Sequence, residues 1–135
     1  MRVFVDTNVM VSSFGFRGIA RKLLAHLVER HEVIVSPQVI EEFKRVVIAK
    51  INANVALVES FIEEFIQGVE VVQPPFPDRF PVRDSTDIEI LGAALKTNAD
   101  VLLTGDRDLL EVENPPLPIL SPRELHDKLF GAEAN

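Results

Sequence analysis

The 135-residue chain contains no cysteine, which excludes disulfides, thiolate metal sites and a cysteine nucleophile together. It has no apolar run approaching the roughly 18 residues that a membrane-spanning helix needs. Nor does it open like a secretory signal: Met1-Arg2-Val3-Phe4-Val5-Asp6 breaks into charge at once, and no small-residue cleavage site follows. These absences lead to the expectation of a cytosolic protein that does not engage a membrane. Basic residues are also scarce: 14 Lys and Arg face 21 Asp and Glu, a net charge of -7. Phosphate binding normally leaves a basic footprint, so this balance speaks against tight non-specific binding to nucleic acid. It does not exclude chemistry on nucleic acid, because acids that hold a cation contribute part of the excess. Only three histidines are present. His26 and His31 flank a helix end and His126 lies far along the chain, without a zinc-ligand spacing.

What is present is a packable chain. It is 47% hydrophobic and 26% charged, which favours a core over disorder, and its length fits one compact domain over residues 1–135. Short apolar runs end in turn or cap residues: 2–6, 32–36, 69–72, 101–104 and a last one near Ile119-Leu120 read as strands. Between them lie helical stripes over 7–14, 19–30, 37–49, a segment capped by Asn52 or Asn54 and stopped at Gly68, and 85–97. Asp106 to Glu111 reads as a short helical turn. Ser36-Pro37 supplies a cap followed by proline in the first turn, and Ser121-Pro122-Arg123-Glu124 has capping-box spacing ahead of a terminal helix to about Phe130. Residues 74–84, with four prolines, read as a loop. Strands alternating with amphipathic helices predict an α/β fold, a parallel sheet with helices on both faces.

In such a sheet, ligands collect beyond the carboxyl ends of the strands. Asp6 directly follows the first strand, and Asp106, with Asp108 two residues on, follows the fourth. Glu42 and Asp87 are expected in the first turns of helices that begin at that edge. Glu42 is preferred to Glu41 because Val39, Ile40, Phe43, Val46 and Val47 form a core stripe at about 100° per residue. Glu42 borders that stripe, whereas Glu41 falls nearly opposite. Asp84 suits an N-cap, Asp87 would be the inward acid one turn later, and Glu89 turns away. Each acid alone has a plainer reading. Asp6 could simply cap a helix, Glu42 could be solvated, Asp84 and Asp87 could be a capping pair, and Asp106 and Asp108 could be turn residues. Their joint placement at one edge is what favours chemistry. Two bare carboxylates about 4 Å apart repel by roughly 4 kcal/mol at an effective dielectric near 20, so such a cluster calls for a cation. All-oxygen ligation suits Mg²⁺ or Mn²⁺.

Asp6-Thr7-Asn8-Val9, the acid Glu42 after Ser36-Pro37-x-x-Ile40-Glu41, Arg83-Asp84-x-x-Asp87, and Thr104-Gly105-Asp106-x-Asp108-Leu109-Leu110 resemble the motifs of PIN-domain ribonucleases. They occur in the family's order over nearly the whole chain. The similarity is greatest to the branch described as toxin components of toxin–antitoxin pairs (VapC-like). The resemblance implies a three-layer α/β/α PIN-like domain with a central parallel sheet, and Mg²⁺- or Mn²⁺-dependent hydrolysis of RNA phosphodiester bonds. By position it implies Asp6, Glu42, Asp87 and Asp106 as the catalytic and metal-holding acids, with Asp108 as an accessory ligand. Asp84 is a companion, and Asn8 and Thr104 brace the acids through hydrogen bonds. It also implies an antitoxin partner and a homodimer. One departure is Leu109-Leu110, where better-known toxins carry phenylalanine after the last acid.

The expected chemistry is in-line hydrolysis, with Arg83, Arg107 or Arg17 contacting flanking phosphates because they adjoin the acidic motifs. Two rivals remain. One is a phosphatase with Asp6 as nucleophile, like the haloacid dehalogenases, which want a second aspartate where this chain has Asn8. The other is a catalytically silent module that keeps the fold to dock a partner.

Overall fold

Val3, Phe4 and Val5 are all fully buried. Successive strand side chains point to opposite faces, so strand β1 (Arg2–Val5) is covered on both sides. The computed structural model describes residues 1–80 and 82–131. After β1 come helices α1 (Thr7–Gly15) and α2 (Ile19–Arg30), strand β2 (Glu32–Val35), helices α3 (Pro37–Ala49) and α4 (Val55–Gln67), and strand β3 (Glu70–Val71). Helix α5 (Ser85–Lys96), strand β4 (Val101–Leu103), helix α6 (Arg107–Leu110), strand β5 (Ile119–Leu120) and helix α7 (Pro122–Phe130) complete the order. The five strands are parallel throughout and lie in the order β3-β2-β1-β4-β5. This is the expected α/β architecture, with the sheet between helical layers.

The strand order decides where a site can form. The chain builds outward from β1 through β2 to β3, then returns across the sheet to β4 and β5. Direction reverses between β1 and β4, and the crevice at such a switch point is where open parallel sheets bind ligands. Register places Val5 beside Leu103. The ladder runs one residue further, because the Asp6 amide donates to the Leu103 carbonyl at 3.0 Å and the Thr104 amide to the Leu120 carbonyl at 3.0 Å. Asp6 and Thr104 are therefore held by the sheet although they stand just outside its strands.

Caps fix the helix starts. Ser36 Oγ accepts from the Val39 amide, with Pro37 in the first turn of α3. Asn54 caps α4 by accepting from the Leu57 amide, and Asn52 instead takes a positive φ of 57° in the turn before it. Asn tolerates that region better than most residues. The capping box of Ser121 and Glu124 is present on both sides. On α3, Val39, Phe43 and Val47 are buried, and Phe43 meets Phe14 of α1 edge-on at 5.6 Å and Phe61 of α4 at 5.4 Å. That aromatic contact anchors α3 and so sets the position of Glu42.

The third strand is shorter than the expected 69–72. Only Glu70 and Val71 pair with β2, although the Val72 amide still reaches the Val35 carbonyl. The Pro-rich stretch is free of helix and strand among its described residues, and Pro81 lies outside them. Its Phe76-Pro77 segment packs so closely on α5 that a Cβ on Gly92 would lie 2.1 Å from the Pro77 carbonyl oxygen.

Candidate active site

Asp6 ends β1 and caps α1: its Oδ1 accepts from the Thr7 amide at 2.7 Å. Its Oδ2 accepts from the Thr104 hydroxyl at 2.8 Å. Thr104 is fully buried, and its oxygen in turn accepts the Asp106 amide at 3.0 Å. Asn8 closes the network. Its Nδ2 lies 3.4 Å from both Asp6 Oδ2 and Thr104 Oγ1, and its Oδ1 accepts the Gly105 amide at 2.9 Å. The carboxyl ends of β1 and β4 are thus tied through two side chains, Asn8 and Thr104, that hold Asp6 in one orientation.

The other acids arrive on helices. Asp87 is the third residue of α5, only 8% exposed. Asp84 caps α5, with its Oδ1 accepting the Thr86 and Asp87 amides at 2.8 and 3.3 Å. Glu42 lies in the second turn of α3, a turn further along than a helix-start reading suggests, and is partly exposed while Glu41 and Glu89 are exposed. Asp106 caps α6 by accepting the Asp108 amide at 3.0 Å.

Asp6, Glu42, Asp87 and Asp106 line one cavity of ≈ 290 Å³, together with Thr7, Asn8 and Thr86 among others. Among the described residues, no lysine, arginine or histidine lines it. Asp84 and Asp108 stand outside its wall, and Arg17, Arg83 and Arg107 are exposed and do not line it. The uncompensated charge is visible in the acids themselves. Burial pushes the Asp87 carboxyl up to about 6, and the negative charges of Asp106, Asp84, Asp108 and Asp6 add to the shift. Burial also raises Asp6, against the hydrogen bonds from Thr104 and Thr7, with Asp106 and Glu42 reinforcing the rise.

As the side chains stand, no group of three or more His, Asp or Glu among the described residues is arranged to hold a metal ion. Asp106 accepts the Asp108 amide, and Asp6 accepts from Thr7 and Thr104. The donor set nevertheless fits a hard divalent cation, since every acidic donor in the cavity is oxygen and no basic side chain among the described residues competes. The buried Thr7 hydroxyl on the cavity wall has no hydrogen-bond partner, a further oxygen that the present arrangement leaves unused.

A larger cleft of ≈ 570 Å³ lies between α1, α2 and α4, walled by Phe14, Leu24, Val28, Phe61 and Phe65. It carries two acids, Glu29 and Glu64, and an arginine, Arg21, that donates to the Ser13 and Phe14 carbonyls. Of the two, the smaller cavity gathers four acids with no basic side chain among the described residues of its wall.

The family model described as PIN domain matches residues 2–108, from β1 through the second residue of α6. The chain belongs to the PIN domain family. Solved structures give the same fold. The structure of VapBC2 from Rickettsia felis bound to a DNA fragment from their promoter matches with a TM-score of 0.65 at 16% identity, covering 90% of this chain and 98% of that one. VapBC-1 from nontypeable Haemophilus influenzae matches at 0.63 and 19%, with the same coverage. A PilT N-terminus domain protein from the archaeon Sulfolobus solfataricus P2 matches at 0.57 and 16%, covering 95% and 92%. No curated protein matches the chain. Among the residues lining this PIN domain's cavity, Thr7 and Thr86 escape a sequence reading aimed at carboxylates. Thr7 sits inside the Asp-Thr-Asn motif, which marks its position, but nothing in the sequence says that its hydroxyl lacks a partner.

Proposed function

We propose that this PIN domain, a single domain over its whole length, is a divalent-metal-dependent endoribonuclease that hydrolyses RNA phosphodiester bonds, and the toxin of a toxin–antitoxin pair. The observation that carries the reading is the gathering of Asp6, Glu42, Asp87 and Asp106 around one cavity at the β1/β4 switch point, with no basic side chain among the described residues of its wall to neutralise them. These four would hold Mg²⁺ or Mn²⁺, with Asp108 reaching in as an accessory. The bound cation would supply acidification of a water and neutralisation of charge on the phosphate. Thr104 and Asn8 keep Asp6 aimed at the cavity. One carboxylate of the set takes the proton of the attacking water, and exposed Arg83 and Arg107 contact the flanking backbone.

The VapBC likeness supports an antitoxin partner within this reading. Exposed apolar side chains support a protein partner or a homodimer: Phe16 is 63% exposed, and Leu57 of α4 is 65%. A cytoplasmic setting belongs to the same reading, because that is where the RNA substrate would be met. Among the described residues no helix is long and apolar enough to cross a membrane. The aspartyl-phosphate alternative is disfavoured by Asn8, whose amide is committed at both ends to Asp6, Thr104 and Gly105 and has no acidic proton to give as a general acid. The test is a Mn²⁺ titration by calorimetry alongside cleavage of structured and single-stranded RNA. Saturable binding with cation-dependent cleavage is expected. Absence of both binding and cleavage would favour the silent docking module instead.

A further inference from the structure

Beside the acidic cavity lies a second depression of ≈ 550 Å³, lined by Pro37, Gln38, Glu41, Glu42, Arg45 and Thr86. Glu42 and Thr86 belong to both walls, so the two spaces adjoin. Among the described residues, Arg45 is the sole basic side chain lining either of them. It stands one turn beyond Glu42 on α3, with its guanidinium 3.8 Å from Glu42 and its side chain 70% exposed. An ion pair that long and that exposed holds Arg45 weakly, so the guanidinium is free to turn towards an anion entering the groove. A strand whose scissile phosphate lies among the four acids must leave the cavity, and through the Glu42–Thr86 side it passes directly along Arg45. Gln38 and Thr86 add neutral donors on the same wall, the kind that position a sugar-phosphate backbone without reading sequence.

We propose that this groove over α3 seats the RNA flank next to the scissile phosphate, and that Arg45 binds a phosphate of that flank. The assignment rests on the nuclease reading of the acidic cavity and extends it to the substrate's path. Arg45 is a positioning residue: it raises substrate occupancy and leaves the chemical step alone. Glu41, an exposed acid on the same wall, opposes it and limits affinity.

The experiment measures binding of a fluorescent 12-nucleotide single-stranded RNA by anisotropy with Mn²⁺ present, in the Asp6→Asn background to prevent cleavage, over a series of salt concentrations. KM and kcat are measured for the same RNA with Asp6 intact. Arg45→Gln should weaken binding roughly five-fold, lower the salt slope by about one and raise KM with kcat unchanged. Arg45→Lys should restore most of the binding, because it returns a point charge, and Glu41→Gln should tighten it. Unchanged affinity and salt slope in Arg45→Gln would overturn the groove assignment. So would a fall in kcat at constant KM, since Arg45 would then act through Glu42. Arg45-dependent binding by a chain that never cleaves would keep the groove and sink the nuclease reading, and RNA that neither binds nor is cut would sink both.

Discussion

The Thr104 hydroxyl donates to Asp6 and receives the Asp106 amide, so one buried group joins the ends of two strands and two of the acids. Thr104→Val keeps the shape but leaves the Asp106 amide and one Asp6 oxygen short of a partner. Unmade buried hydrogen bonds of this kind cost about 1–3 kcal/mol. Urea unfolding should show that loss, and Thr104→Ser should recover most of it. Asp87 gives a pH signature of definite sign. Its carboxyl rises from 3.8 to about 6 on folding, so between those values the native state holds more proton than the unfolded chain, and stability falls as pH rises through that window. Without metal, Asp87→Asn should therefore match the parent chain near pH 4 and melt higher than it above pH 6. Added Mn²⁺ should raise the parent's Tm above pH 6 by more than the variant's, and should release protons on binding.

At the scale of elements, the interface between α5 and the Pro-rich loop has no room to spare. Gly92→Ala places a Cβ 2.1 Å from the Pro77 carbonyl oxygen and 2.9 Å from Phe76 Cβ. It should cost about 1–3 kcal/mol as overpacking, read by urea titration, and should displace the start of α5 that carries Asp87. Most element starts are legible in the sequence because their caps are local: Ser36-Pro37 and Ser121-x-x-Glu124 announce α3 and α7. The choice between Asn52 and Asn54 is not, since both can cap and only the turn geometry separates them. Topology alone places the carboxylates at one sheet edge. The bond of Asp106 to the Asp108 amide is a local cap that turn chemistry anticipates, whereas the exclusion of Asp84 and Asp108 from the cavity wall depends on long-range packing. Nothing in the sequence marks out Arg45, because basic residues on α3 look alike there, and only its place in a depression beside the acidic cavity sets it apart.

Over the whole molecule, a net charge of -7 would meet, in the proposed RNA substrate, another polyanion. Long-range attraction is weak under those conditions, so RNA affinity should be modest and its salt slope shallow, reflecting about three phosphate contacts rather than many. Anisotropy measured from roughly 50 to 300 mM salt would read that slope. The same charge distribution explains why the acidic cavity can work inside an acidic protein. Its carboxylates lie at the switch point of the sheet, shielded by α1, α3 and α5, and a divalent cation would reverse the local field that the rest of the surface leaves negative. Asp6 is the acid most firmly built into the fold, and replacing it with asparagine preserves its size and its bond from the Thr7 amide. The most direct measurement is therefore Mn²⁺-dependent cleavage of a labelled RNA by the parent chain and by Asp6→Asn, with the Tm of each recorded. Cleavage in the parent and none in the variant, at a similar or slightly higher Tm, is the predicted result; equal cleavage by both would contradict a metal-dependent centre at Asp6.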